Sequence, residues 1–328
     1  MNILVGIVND VFFDTFQRDP FVDNDFVMKA AVTLLDYPVK LKVSNFTPEF
    51  AKKLEANWEG LSTSIEAAFE LLKHLGFDEK ALRANNAVIP IAYYIYLHRN
   101  VHKYQLHEKE KYHRIRDAIK KWLSLALITR QFGGQSDSVI IKTKAQIKES
   151  STEDYFPTDE IIAAFKNDPN KELAIDKEFI YESILLTRKD DADCYPILAL
   201  IFPEQKHDLK YDKDHLHYAD QFKTLKRETY EFLKDDEELY KFYKNPENWD
   251  SIANLQLLGE SDNKSKSTQS LEEWFSSRQD KEELAKVCLL PRDNQGNYLL
   301  SFKKFKDFIE KRRDLLYEKL IKNLEVAQ

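Results

Sequence analysis

Asp214-His215-Leu216-His217, then Ile252-Ala253-Asn254-Leu255-Gln256-Leu257-Leu258, then Asp262-Asn263-Lys264-Ser265-Lys266-Ser267 is the part of the chain whose reading decides the fold. The apolar run over residues 252–258 is short and suits a strand. Residues 223–244 alternate charged and aromatic side chains, which predicts an amphipathic helix inserted between the Asp-His step and the Asn. Residues 261–270 are polar and predict a loop. A small α+β unit with a helical insert is the expectation for this end of the chain.

Working outward, the remaining sequence predicts helices. Thr47-Pro48-Glu49 is a helix start, with Thr as N-cap, Pro in the first turn and an acid behind it. Phe50, Leu54, Trp58, Leu61, Ile65, Phe69 and Leu72 follow at helical spacing, and Gly76 is placed to end that helix. Residues 86–98 are strongly apolar, with Pro90 marking a kink or boundary. Residues 122–128 belong to a buried helix ending near Gly133-Gly134. A further capped helix is expected to start at Thr158-Asp159-Glu160, and residues 195–202 (YPILALIF) form a buried one closed by Pro203. Residues 207–213 are turn-like. Another helix starts at Leu271, and residues 302–324 form an amphipathic one. The fold class is mainly α, with an all-helical domain over residues 1–190 and the small α+β module over residues 191–328.

Composition agrees. The 328 residues are 43% apolar and contain only seven glycines, which favours long helices with few tight turns. The net charge of −7, from 49 basic and 56 acidic side chains, is not that of a protein that merely coats nucleic acid. A local basic face can still steer a polyanion. Two cysteines, Cys194 and Cys288, make no disulfide framework and predict reduced thiols. Residues 1–8 are apolar but too short for a leader, and Asp10 and Asp14 follow. No apolar run is long enough to span a bilayer. A cytoplasmic protein is expected.

The chemistry of the decisive stretch is that of phosphodiester hydrolysis. That reaction needs an activated water and neutralisation of charge on the phosphate and the leaving oxygen. A hard divalent cation serves the second need and takes oxygen ligands, for which Asp214 and the Asn263 amide are candidates. His215, a near-neutral base, is the candidate to take the water proton. Asn254 can hold the loop or orient His215 through the backbone. Lys266 can meet a phosphate as a point charge. On a strand, His217 would share the face of His215, as a phosphate contact or a polar wall residue. Elsewhere, His98 and His102 have i, i+4 spacing but no third ligand, and predict a solvated basic helix end together with His107 and His113. Cys194 predicts a small buried side chain. Trp58, Trp122, Trp249 and Trp274 predict core positions, Trp249 being the one nearest the candidate site. The lack of a Gly-rich phosphate loop excludes a P-loop or dinucleotide site.

These motifs resemble the HNH, or His-Me finger, nucleases. That unit carries Asp-His on its first strand, Asn in the connecting loop and His or Asn on a helix. The wider chain is similar to the C-terminal half of GmrSD-type restriction endonucleases. The likeness lies in YPILALIF, DHLH, NPENWDSIANLQLL, DNKSKS, LEEWF and FKDFIEKRRDLLYEKL, and upstream in FTPEFAKKLEANWEGLSTSIEAAFELL and KKWLSLALITRQFGGQSDSVI. The resemblance implies a ββα-metal module and an Mg²⁺- or Mn²⁺-dependent endonuclease acting on DNA. It also implies the effector half of a restriction or anti-phage defence system. Asp214 and Asn263 would be metal ligands, His215 and Asn254 catalytic, and Lys266 and His217 phosphate-binding. Two departures stand out: Tyr218 sits where many members carry Pro, and the ParB-like nucleotide-handling domain, with its Asp-Gly-Gln-Gln-Arg motif, is missing. The chain is then a C-terminal half or one subunit of a split system. The competing expectation is a non-catalytic helical docking or regulatory subunit with a degenerate nuclease fold.

Overall fold

The computed structural model describes residues 23–42, 45–78, 80–134, 136–166, 168, 175–203 and 211–325. The expectations for residues 1–8, 10 and 14, and for most of the turn over residues 207–213, lie outside the described residues; Tyr211, Asp212 and Lys213 are described and begin a strand instead of a turn. The chain divides into two compact units, Met1–Ala174 and Ile175–Gln328. The division precedes the expected boundary at residue 190, because the short helices after Ile175 pack with elements of the second unit.

The first unit is helical: α1 (Asn24–Leu34), α2 (Pro48–His74), α3 (Val88–Leu97), α4 (Arg99–His102), α5 (His113–Ile128), α6 (Ser136–Ser150) and α7 (Thr158–Ala164). Thr47 caps α2 as expected, its hydroxyl accepting from the Phe50 amide at 3.1 Å. Gly76 follows the end of that helix with φ 86°, a left-handed conformation that glycine takes without strain. α3 is the centre of the unit, apolar all round and buried from Val88 to Tyr96, with α1, α2 and α6 against it. Pro90 neither kinks nor ends this helix. It lies in the first turn, where its missing N–H has no intrahelical partner to lose.

The histidines at the far end of α3 correct one expectation. His98 binds the Ser151 hydroxyl through Nε2 at 2.8 Å. His102 is not solvated: it is buried, stacked on Tyr94 with centroids 5.9 Å apart, and meets the Tyr112 ring edge-on. A short helix folds it inward, which spacing alone does not reveal. Burial, reinforced by His98 and Lys111, pushes its imidazole down to about 4. The fold thus favours neutral His102. Its stabilising contribution is complete above the unfolded pKa of about 6.5 and is lost as pH falls towards 4. Unfolding free energy is expected to drop by up to about 1.4 kcal/mol per pH unit across that window, more steeply than in His102→Phe. Equal acid slopes in urea unfolding of the two proteins would sink the expectation.

The second unit holds α8 (Lys177–Glu182), α9 (Cys194–Ile201), β1 (Tyr211–His215), α10 (Ala219–Lys223), α11 (Glu237–Lys244), α12 (Pro246–Trp249), β2 (Leu255–Gly259), α13 (Glu260–Lys266), α14 (Leu271–Ser277), α15 (Lys281–Val287) and α16 (Phe305–Glu325). β1 and β2 pair antiparallel, with Tyr211 opposite Gly259 and His215 opposite Leu255. α16 is the spine, and α8, α9, α11 and the 3₁₀ turn Ile252–Asn254 lie on it.

Two expectations change here. The insert over residues 223–244 is not one helix but α10, two 3₁₀ turns (Arg227–Thr229, Glu231–Leu233) and α11. Aromatic rings hold it together: Phe222 lies 4.5 Å from Phe305 and 5.1 Å from Phe302, and Tyr243 donates its hydroxyl to the Phe302 carbonyl at 2.7 Å. Residues 260–266, expected in a loop, form α13. The architecture is mainly helical with one two-stranded sheet among the described residues. No described helix is long and apolar enough to cross a membrane.

Candidate functional site

β1, β2 and α13 follow one another in space as two antiparallel strands and a helix, and the motif residues sit where they meet. Asp212 and Asp214 lie two apart on β1 and so share a face. α13 covers that face. The Asn263 amide donates to Asp212 Oδ2 at 2.7 Å, and the Lys266 ammonium reaches Asp214 Oδ2 at 2.8 Å. α13 is held in turn by α14, whose Trp274 donates Nε1–H to the Ser265 hydroxyl at 3.1 Å. α14 itself opens on a capping box between Ser270 and Glu273.

His215 leaves β1 on the opposite side, as strand alternation requires. Its Nε2 is 2.9 Å from Asp250 Oδ1, and Asp250 Oδ2 accepts from Arg188 Nε at 2.9 Å. Burial by itself would raise the Asp250 carboxyl, but the hydrogen bonds from His215 and Arg188 outweigh it and hold it below the usual carboxylate range. An ionised Asp250 can only accept, so Nε2 carries a proton and Nδ1 is the nitrogen turned away from Asp250. The His215 ring stands 6.1 Å from that of Trp249, which is stacked on Phe222 at 5.6 Å and so continues the aromatic cluster of the insert. Trp249 is a core residue, as expected, and it also walls the histidine.

Asn254 is fully buried and serves the turn after β1. Its Nδ2 donates to the carbonyls of His217 and Trp249 at 2.8 and 2.7 Å, and its Oδ1 accepts from the His217 amide at 3.0 Å. The expectation that Asn254 works through backbone is met in kind, but its target is His217 and not His215. One side chain thereby fixes both the exit of the His215 strand and the approach to Asp250.

Two motif residues stand elsewhere than expected. The strand ends at His215, so His217 does not share its face. Its ring is fully buried against the edges of Phe305 and Phe308, with centroids 5.2 and 4.7 Å apart. Burial, with Lys266 and Arg312 nearby, pushes its imidazole down to about 3, so it is neutral at physiological pH. It is a core residue and no phosphate contact. Lys266 is 1% exposed and engaged with Asp214, and does not stand free in a solvent-facing loop.

Sequence reasoning passed over three residues. Asp250 and Arg188 carry no spacing signal, because they converge on His215 from distant segments. Arg312 did carry one. With Phe305, Phe308, Ile309, Leu316 and Leu320 it lies at helical spacing on the buried stripe of α16, where an apolar residue is the rule. It is fully buried and donates to the carbonyls of Cys288, Ile252, Ala253 and Leu255 and to Gln256 Oε1, the shortest contact being 2.6 Å to Ala253. Burial lowers the guanidinium to about 10, still protonated at neutral pH. Arg312 clamps the segment that carries Asn254 into β2. Cys194 and Cys288 are free and buried, and burial pushes both thiols up to about 12.

The Asp212 and Asp214 carboxylates and the Asn263 amide oxygen are hard oxygen donors, a set that fits Mg²⁺ or Mn²⁺ by type. No group of three or more His, Cys, Asp or Glu side chains positioned for a metal occurs among the described residues. Asn263 would complete this donor set. No family model and no curated protein matches the chain.

Proposed function

We propose that the chain is a metal-dependent endonuclease of the HNH kind that hydrolyses DNA phosphodiesters, acting as the effector half of a restriction or anti-phage system. The observation that carries this reading is His215 bound through Nε2 to an ionised carboxylate, immediately beside Asp214 on a two-strand-and-helix unit. Asp250 fixes the imidazole tautomer, and His215 Nδ1 takes a proton from the attacking water. Asp214 and Asn263 would hold the Mg²⁺ or Mn²⁺, which when bound neutralises charge on the phosphate and the leaving oxygen. His215 and Asp214 leave β1 on opposite sides. Asn254 is a positioning residue. DNA as substrate, and a ParB-like nucleotide-handling domain or subunit as partner, rest on the family resemblance.

The test is plasmid nicking with Mg²⁺ or Mn²⁺, comparing the parent chain with Asp214→Asn. A loss of at least ~100-fold is expected; equal rates would refute the role of Asp214. A non-catalytic docking subunit is the second reading, favoured by the pairing of Asp214 with a buried ammonium. Failure of the parent chain to nick with either metal, alone or with its partner, supports that reading.

A further inference from the structure

Lys266 is the unusual member of the site. Lysine is almost never as buried as this unless its charge is paired. Its ammonium has three protons to donate, and among the described residues Asp214 is its only acceptor, at 2.8 Å. Asp214 keeps 21% of its side chain exposed, so the pair opens to solvent on the carboxylate side. The ammonium thus supplies the positive charge that the Asp214 carboxylate needs in the free protein.

We infer that Lys266 is the resident cation of this site, and that a divalent ion reaches Asp214 only by displacing it onto an arriving phosphodiester. The inference rests on the nuclease reading above. Two cations within a few ångströms of one carboxylate repel each other, so the lysine and the ion compete for Asp214. A displaced ammonium, tethered at the end of α13, then needs another anion close by. A backbone phosphate at the same site supplies one. Metal and phosphate must therefore strengthen each other's binding, and by linkage the gain is the same in either order. The free protein holds metal weakly, and the complete site assembles only on a nucleic-acid backbone.

The experiment measures Mn²⁺ binding to the full chain by electron paramagnetic resonance. It is done with and without a phosphorothioate-linked DNA duplex that resists cleavage, and binding to the duplex alone is subtracted. In the parent chain the duplex is expected to tighten Mn²⁺ binding about tenfold or more. Lys266→Met is expected to bind Mn²⁺ without duplex at least about tenfold more tightly than the parent, with a smaller further gain from DNA than the parent shows. Lys266→Arg, which keeps the cation, is expected to bind as weakly as the parent. If Lys266→Met binds no more tightly than the parent while Asp214→Asn abolishes binding, the metal site stands and the displacement is overturned. If Mn²⁺ binds neither protein under any condition, the nuclease reading itself falls. Should Lys266→Met fail to fold by circular dichroism, the parent decides: Mn²⁺ affinity indifferent to the duplex overturns the displacement.

Discussion

Arg312→Met is expected to lower the unfolding free energy by about 3–5 kcal/mol, with ~1–3 kcal/mol for each buried acceptor left bare. Among the described residues the guanidinium has no carboxylate partner. It is held by four backbone carbonyls and one side-chain amide oxygen, three of those carbonyls coming from the segment Ile252, Ala253 and Leu255. Methionine matches the length of the stem but offers no donor to any of them. Removing a buried charge relieves some desolvation cost, which keeps the loss below the sum of the individual bonds. Against a total stability of roughly 5–15 kcal/mol this is a large fraction. The measurement is urea unfolding followed by circular dichroism, and a change under about 1 kcal/mol would show that the clamp is dispensable. The same substitution frees the segment that carries Asn254, so nicking should fall even where the variant remains folded.

His215→Ala is expected to reduce the single-turnover nicking rate by about 10²–10⁴-fold, measured on a variant shown to be folded by circular dichroism. The imidazole is buried against Trp249, so its removal also costs stability, about 1–3 kcal/mol, although Asp250 keeps its 2.9 Å contact to Arg188. Asp250→Asn should cost less, since it leaves the base in place and disturbs only its tautomer and orientation. Parent and His215→Ala nicking at the same rate would remove His215 from the chemistry, whatever the role of the metal.

Much of the helical frame is legible because it follows from local rules: the Thr47 cap, Gly76 behind α2, the apolar α3 and the start of α14 at Leu271. Of the strand pair only β2 is legible, as a short apolar run; β1 is not, because Tyr211-Asp212-Lys213 reads as the end of a polar turn. α13 is not. Glu260-Ser261-Asp262-Asn263-Lys264-Ser265-Lys266 has no apolar period, and the helix depends on tertiary bonds from Asn263 to Asp212, from Lys266 to Asp214 and from Trp274 to Ser265. The inner placement of His102, His217 and Lys266 is hidden for the same reason. Polar side chains give no burial signal, and what buries them arrives from residues far along the chain. The motif does bring Asp214, His215, Asn254 and Asn263 to one small unit, but it cannot show that Asp250 holds His215 or that Lys266 holds Asp214.

The two strands join residues about forty positions apart. A ladder of that kind cannot nucleate as a hairpin. It must wait until the intervening chain has collapsed, because closing so long a loop costs entropy before any cross-strand bond repays it. Within that loop Phe222 meets Tyr243 and Trp249, closer in sequence than the paired strand residues, and these contacts are expected to close before the ladder. Asp214, His215 and Asn254 are then among the last residues of this unit to reach their partners. A nascent or partly unfolded chain carries the separate pieces without the assembled centre, and any cutting ability appears only when folding is complete.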